Sequence, residues 1–224
     1  MLFDSGLAIF SKHPISRSYH LIFKKQSIWD YLFVSRAALY AQIDLGKGKN
    51  LHVFTLHTAP SLDDMKKRTQ LASLLEEKVP TVRQQGDELG EFMTKLLDSS
   101  NYNAKTDKIV CMGDFNVKAG TLDYFHFANI FSTKYQMVDI TKKGGKDTDT
   151  WEPTFGLVDD DGFPLERLLT SPGLRGIPQT LDFIFTDAEK AGESSVLKLQ
   201  CDDAKETRFQ CVSDHAAVEC KIKA

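Results

Sequence analysis

The chain has 224 residues, 42% hydrophobic and 26% charged, the balance of an ordinary globular protein long enough to bury a core without staples. A net charge of −3 and a pI near 6.1 argue against holding nucleic acid by bulk attraction, which leaves only a local basic groove for that role. No apolar run is long enough to span a bilayer, and Met1-Leu2-Phe3-Asp4-Ser5 lacks the basic-then-apolar start of a signal peptide.

In chain order, residues 6–10, 37–43 and 51–57 have strand length and turn-rich flanks. Gly46-Lys47-Gly48-Lys49-Asn50 reads as the hairpin turn between the last two. Alternation along residues 51–57 sends His52 and His57 to opposite faces. Ser61-Leu62-Asp63-Asp64 resembles a capping box opening a helix that carries Met65, Thr69, Ala72 and Glu76. Beyond Pro80, a second helical pattern runs from Val82 through Leu89, Phe92, Met93 and Leu96. A polar loop over residues 98–107 leads to the buried-type strand 108–112, in which Cys111 is a small hydrophobe. Residues 142–149 read as exposed and 158–179 as an irregular excursion, before strands at 181–185 and 216–222. Cys201 and Cys211 flank a polar turn and could pair across it; no cysteine spacing suggests zinc. Without a linker or repeat, residues 1–224 are expected to form one α/β domain, strands outnumbering helices.

Chemistry-bearing residues gather where apolar strands end. Asp114 and Asn116, at i and i+2, project from one side of the backbone, and Gly113 before them permits a tight turn or a close approach. Together they could orient a water and bind a phosphoryl oxygen; an Asx turn is the plainer alternative. Asp214-His215 enters the closing strand, with His215 a natural acid or base near neutral pH or else a structural histidine. Asp182, among apolar neighbours, is costly unless paired, as it would be if it oriented a histidine. His57 ends its strand and could donate to a developing charge. The histidines at 13, 20, 52 and 126 show no partner pattern and read as surface or packing residues.

The ordered set Gly-Leu-Ala-Ile-Phe-Ser-Lys-His-Pro-Ile (6–15), His57, Gly-Asp-Phe-Asn (113–116), Leu-Asp-Phe-Ile-Phe (181–185) and Ser-Asp-His (213–215) resembles the endonuclease/exonuclease/phosphatase superfamily over nearly the whole chain. Ser-Lys-His-Pro-Ile, Arg68-Thr69-Gln70-Leu71 and Thr150-Trp151-Glu152-Pro153 are similar to motifs of its sphingomyelinase C branch. The resemblance implies a four-layered α/β sandwich of the deoxyribonuclease-like type, and a Mg2+-dependent phosphodiesterase cleaving sphingomyelin to ceramide and phosphocholine. His215 would be the general base, oriented by Asp182; Asp114 would position the attacking water and serve the metal. Asn116 would hold a phosphate oxygen, His57 would stabilise the phosphorane-like charge or assist the leaving group, and Asp214 would be a metal- or phosphate-side carboxylate. A phospholipid at a membrane surface is the implied partner, with Ile28-Trp29-Asp30-Tyr31-Leu32-Phe33 and the apolar stretch 168–174 as contact candidates beside core burial. The superfamily's principal metal-binding glutamate and the asparagine before it would fall upstream of Met1, with the first strands of one sheet. The domain is therefore expected to be N-terminally incomplete, with its N-terminal strands missing. Two other readings stand beside the first: a nuclease or inositol-phosphate phosphatase of the same superfamily, and a non-catalytic subunit with a protein partner.

Overall fold

The computed structural model describes residues 5–26, 35–61, 80–143, 150–158, 161–164, 176–189, 191–197 and 213–222. The expected helix over 61–76, the aromatic run 28–33, the stretch 168–174 and the Cys201–Cys211 turn fall wholly or mainly outside them.

Strands β1 (Ile15–Ile22), β2 (Ala37–Gly46) and β3 (Lys49–His57) form an antiparallel meander whose second turn is the expected glycine-lysine hairpin. Helix α1 (Thr81–Ser99) then crosses over to β4 (Lys108–Asp114), which pairs parallel with β3. Helix α2 (Leu122–Tyr135) leads to β5 (Met137–Asp139) and the short strands β6 (Lys142–Lys143) and β7 (Thr150–Trp151). β8 (Asp182–Asp187) inserts antiparallel between β4 and β5, completing a six-stranded sheet in the order β1-β2-β3-β4-β8-β5. β9 (Ala191–Leu197) and β10 (Ala217–Ile222) pair as a second, two-stranded sheet.

Strand alternation divides the central sheet into two faces. Tyr40, Phe54, Leu56, Ile109, Cys111, Phe183 and Phe185 face the helices and pack with Leu89, Met93, Phe127 and Phe131 in one buried cluster. Val110 and Ile184 face the other way, against Ala191, Val218 and Ile222 of the second sheet. Cys111 is a buried hydrophobe as expected, and burial pushes its thiol far above the usual range. Gly86 and Gly90 let the helices approach closely: a Cβ there would sit 3.1 Å from Phe127 and 3.0 Å from Ile130.

The sequence expectations differ from the structure at residues 6–10, at β1 and at helix α2, whereas His52 and His126 fit the reading as surface or packing residues. Residues 6–10 form no strand: Ile9 packs on the sheet, but Phe10 is 93% exposed, so the segment has apolar side chains without a ladder. The first strand is β1, whose mostly exposed, polar side chains give no alternation; its pairing with β2 is carried by the backbone. Helix α2 carries Tyr124, Phe125, Phe127, Ile130 and Phe131 on more than one side, which hides its period. Its ends do carry signals, a Thr121 cap accepting from the Tyr124 N–H and a left-handed Gln136. His52 is fully buried, with Nδ1 2.8 Å from the Tyr40 hydroxyl and Nε2 3.7 Å from Asp107. Burial holds its pKa below the ordinary value although the Asp107 charge pulls the other way. It is a core packing residue with polar partners, and His126 pairs with Asp87 at 3.0 Å.

Candidate active site

The register of the central sheet lines up one row at one end. Ala37 pairs with His57, His57 with Asp114, and Asp114 with Asp182. Side chains directly opposite one another on adjacent strands share a face, so the row collects groups from three distant parts of the chain. Asp114 and Asp182 project on the face that carries the second sheet, together with Val110 and Ile184 of the same strands.

Phe115, between Asp114 and Asn116, points the opposite way into the core, fully buried against Phe127, Phe131, Phe183 and Phe185. That anchor fixes the two polar neighbours. The Asn116 N–H donates to Asp114 Oδ1 at 2.7 Å, so the Asx turn is present. Asp114 Oδ2 faces His57 Nε2 at 3.3 Å and His215 Nε2 at 4.0 Å. The turn and the site are therefore not alternatives, because each uses a different oxygen. Asn116 has a left-handed φ of 49°, and its Nδ2 donates to the Thr58 carbonyl at 2.9 Å, tying the strand end to the segment after His57.

His215 arrives from the second sheet by a separate clamp. Ala216 N–H donates to the Thr154 carbonyl at 2.7 Å, and His215 bridges Phe155, whose ring centroid lies 5.0 Å from the imidazole. The Thr154 hydroxyl in turn accepts from the Leu181 and Asp182 N–H groups. Residues 154–155 thus hold Asp182 and His215 together, with His215 Nδ1 2.7 Å from Asp182 Oδ2. Trp151, just upstream, donates to Asp139 and packs on Tyr124, so it anchors the clamp on the helical side.

The structure brings His57, Asp114, Asp182 and His215 together, each with 18–30% of its side-chain surface exposed. Asp114, Asp182 and His215 offer ligand atoms within 4.8 Å of one another, a group that could hold a metal ion. Asp214 stands outside that group and acts on His215 through its charge. Sequence reading missed Arg36, which is 9% exposed and meets His57 Nε2 through Nη1. Nothing local marks it; only the pairing of Ala37 with His57 brings it to the row.

Burial and the Asp182 charge push the Asp114 carboxyl up to about 7, against a counter-pull from His215. Burial opposes charge on His215, but the Asp182 hydrogen bond and the charges of Asp182, Asp114 and Asp214 outweigh it and raise the imidazole to about 9. In both cases the folded state binds protons more tightly than the unfolded chain, whose values lie near 3.8 and 6.5. Stability from these groups is therefore full at low pH and lost as pH rises, through about 7 for Asp114 and about 9 for His215. Urea unfolding in EDTA should show a midpoint that falls between pH 6 and 9, by on the order of 2 kcal/mol in stability. A midpoint that rises over this interval would contradict the assignment.

No family model matches the chain. Among solved structures, a beta toxin from Staphylococcus aureus with bound magnesium ions matches with a TM-score of 0.62 at 21% identity, over 98% of this chain and 69% of that one. A Bacteroides thetaiotaomicron protein of the endonuclease/exonuclease/phosphatase family matches with a TM-score of 0.56 at 16% identity, over 94% and 65%. The fold is that of the endonuclease/exonuclease/phosphatase superfamily. A phospholipase C from Staphylococcus aureus is 26% identical over 187 residues, 83% of this chain. The chain spans 47% of that relative's length. In this deoxyribonuclease-like frame, the paired row and the His215 clamp lie where the central sheet meets the second one.

Proposed function

We propose that the chain is a phosphodiester hydrolase acting on a phospholipid, with sphingomyelin the substrate and phosphocholine and ceramide the products. The observation that carries this reading is the His215–Asp182 pair, with His215 Nε2 directed at Asp114 Oδ2 4.0 Å away. Donation from Nδ1–H to Asp182 leaves Nε2 as the atom that exchanges protons with a water beside Asp114. The water would attack phosphorus while the bond to the ceramide oxygen breaks; His215 would take the water's proton, and His57 would serve the charge on the departing side.

Asp114 and Asp182 are like-charged carboxylates, and their repulsion helps keep a proton on Asp114. A divalent cation suits such a pair, and magnesium would take their oxygens rather than the imidazole. When bound, it supplies charge stabilisation to the phosphoryl oxygens. Offsetting the carboxylate charge would also lower the His215 pKa and make the imidazole a base near neutral pH. The lipid substrate rests on the similarity to the staphylococcal phospholipase C.

The test is release of phosphocholine from sphingomyelin vesicles by the 224-residue chain with magnesium, and its loss in EDTA. Hydrolysis of bis(p-nitrophenyl) phosphate without phosphocholine release would keep the reaction and discard the lipid. Inactivity on both would favour a non-catalytic role.

A further inference from the structure

We propose that Arg36 holds a non-bridging phosphate oxygen of the substrate, as a binding residue of the same site; this rests on the phosphodiesterase reading. Four observations converge on it. The row Ala37–His57–Asp114–Asp182 crosses the sheet at one end, and Arg36 immediately precedes its first member. Its Nη1 lies against His57 Nε2, and its positive charge reaches Asp114, favouring the ionised carboxylate. The guanidinium thus touches one of the groups around which the reaction would occur and acts on a second through its charge.

The mount is rigid. The Arg36 carbonyl accepts from the Phe23 N–H at 3.1 Å, and its N–H donates to Gln26 Oε1 at 3.4 Å. Gln26 Nε2 donates back to the Phe23 carbonyl at 2.9 Å. The 23–26 segment is itself tied to α1, because Gln85 Nε2 donates to the Lys25 carbonyl and Glu88 accepts from the Lys24 and Lys25 N–H groups. A long side chain on such a base keeps its head group in place with little ordering left to do when an anion arrives.

The chemistry needs such a group. A diester has two non-bridging oxygens, and attack at phosphorus concentrates negative charge on them. The other functional side chains of the row are two carboxylates and an imidazole, which favour a cation more than an anion. Arginine remains charged at any working pH and presents five N–H donors in a fork that matches phosphate oxygens. His57 meets one end of that fork.

The alternative is that Arg36 serves only to brace His57. Two measurements on the full chain separate these roles: inorganic phosphate binding by calorimetry in magnesium buffer, and KM against kcat on bis(p-nitrophenyl) phosphate. Arg36→Ala should weaken phosphate binding about 10–100-fold and raise KM, while Arg36→Lys recovers part of both. Phosphate affinity and KM equal to the parent chain would overturn the proposal. If Arg36→Ala does not fold, Arg36→Gln keeps much of the stem, lacks the charge, and must show the same loss. Loss of phosphate binding in a chain that hydrolyses no diester would leave Arg36 standing and remove the phosphodiesterase reading. Turnover in the parent chain with unaltered phosphate binding and KM in both neutral variants would do the reverse.

Discussion

His215→Ala should lower phosphodiester hydrolysis by about 10³-fold or more, while the variant still folds. Acid–base participation alone contributes about 10²–10⁴-fold. Here the ring is also the partner of Asp182 at 2.7 Å, so its removal disables two residues as one unit. The fold should survive, because the clamp that positions this segment is made by backbone groups: Ala216 N–H to the Thr154 carbonyl, and the bridge between His215 and Phe155. The side chain contributes one ring contact and one hydrogen bond to a site that remains partly exposed. The decisive readout is kcat on sphingomyelin and on bis(p-nitrophenyl) phosphate, with circular dichroism to establish folding. Partial rescue by free imidazole would tie the loss to the missing ring and not to a shifted backbone. Activity within tenfold of the parent chain would remove His215 from the proton transfer.

Gly113→Ala is expected to be a severely damaging single-methyl change, destabilising the chain by about 4 kcal/mol. Gly113 has a φ of 140°, outside what L side chains adopt, and an added Cβ would lie 2.2 Å from the Leu56 carbonyl oxygen and 2.9 Å from its nitrogen. Both are backbone atoms of the paired strand, so no rotamer change relieves the overlap; either β3 and β4 separate or Gly113 turns away. Either response moves Asp114 relative to His57, so the site should be lost along with stability. A urea midpoint matching the parent chain would show that the strands can absorb a methyl group there. The glycine was legible in sequence as a place where a backbone comes close. The partner proved to be the neighbouring strand.

The residues that could be read from sequence share a local signature. Asp114, Asn116, Asp182 and His215 each stand at the end of an apolar strand, where a polar group is costly without a purpose. Arg36 has no such mark, because its relation to His57 arises from the β2–β3 register and not from its neighbours. β1 was illegible for a related reason: an edge strand is held by its ladder, and Ser16, Arg17, Ser18 and His20 have no buried face to create a period. Residues 6–10 misled in the opposite way, since apolar composition alone does not supply a pairing partner. Helix α2 was hidden because its aromatic side chains serve the core on one side and leave Phe125 exposed on another. His52 carried no pattern because Tyr40 and Asp107 reach it from different elements.

The row across the central sheet also bears on how the candidate site is assembled. Apart from the Asp114–Asn116 turn, the closest side-chain contacts within the site join residues 21 and 33 positions apart, and Asp114 is 57 positions from His57 by number in the paired register. No hairpin or helix formed early can contain the site, and a parallel pairing such as β3 with β4 must first close the intervening chain. The last participant enters only when residues 213–216 dock on Thr154 and Phe155. Partly folded chains, including one still emerging from the ribosome, therefore lack the assembled row and its His215 partner. The reactive groups come into range of one another only as the topology closes.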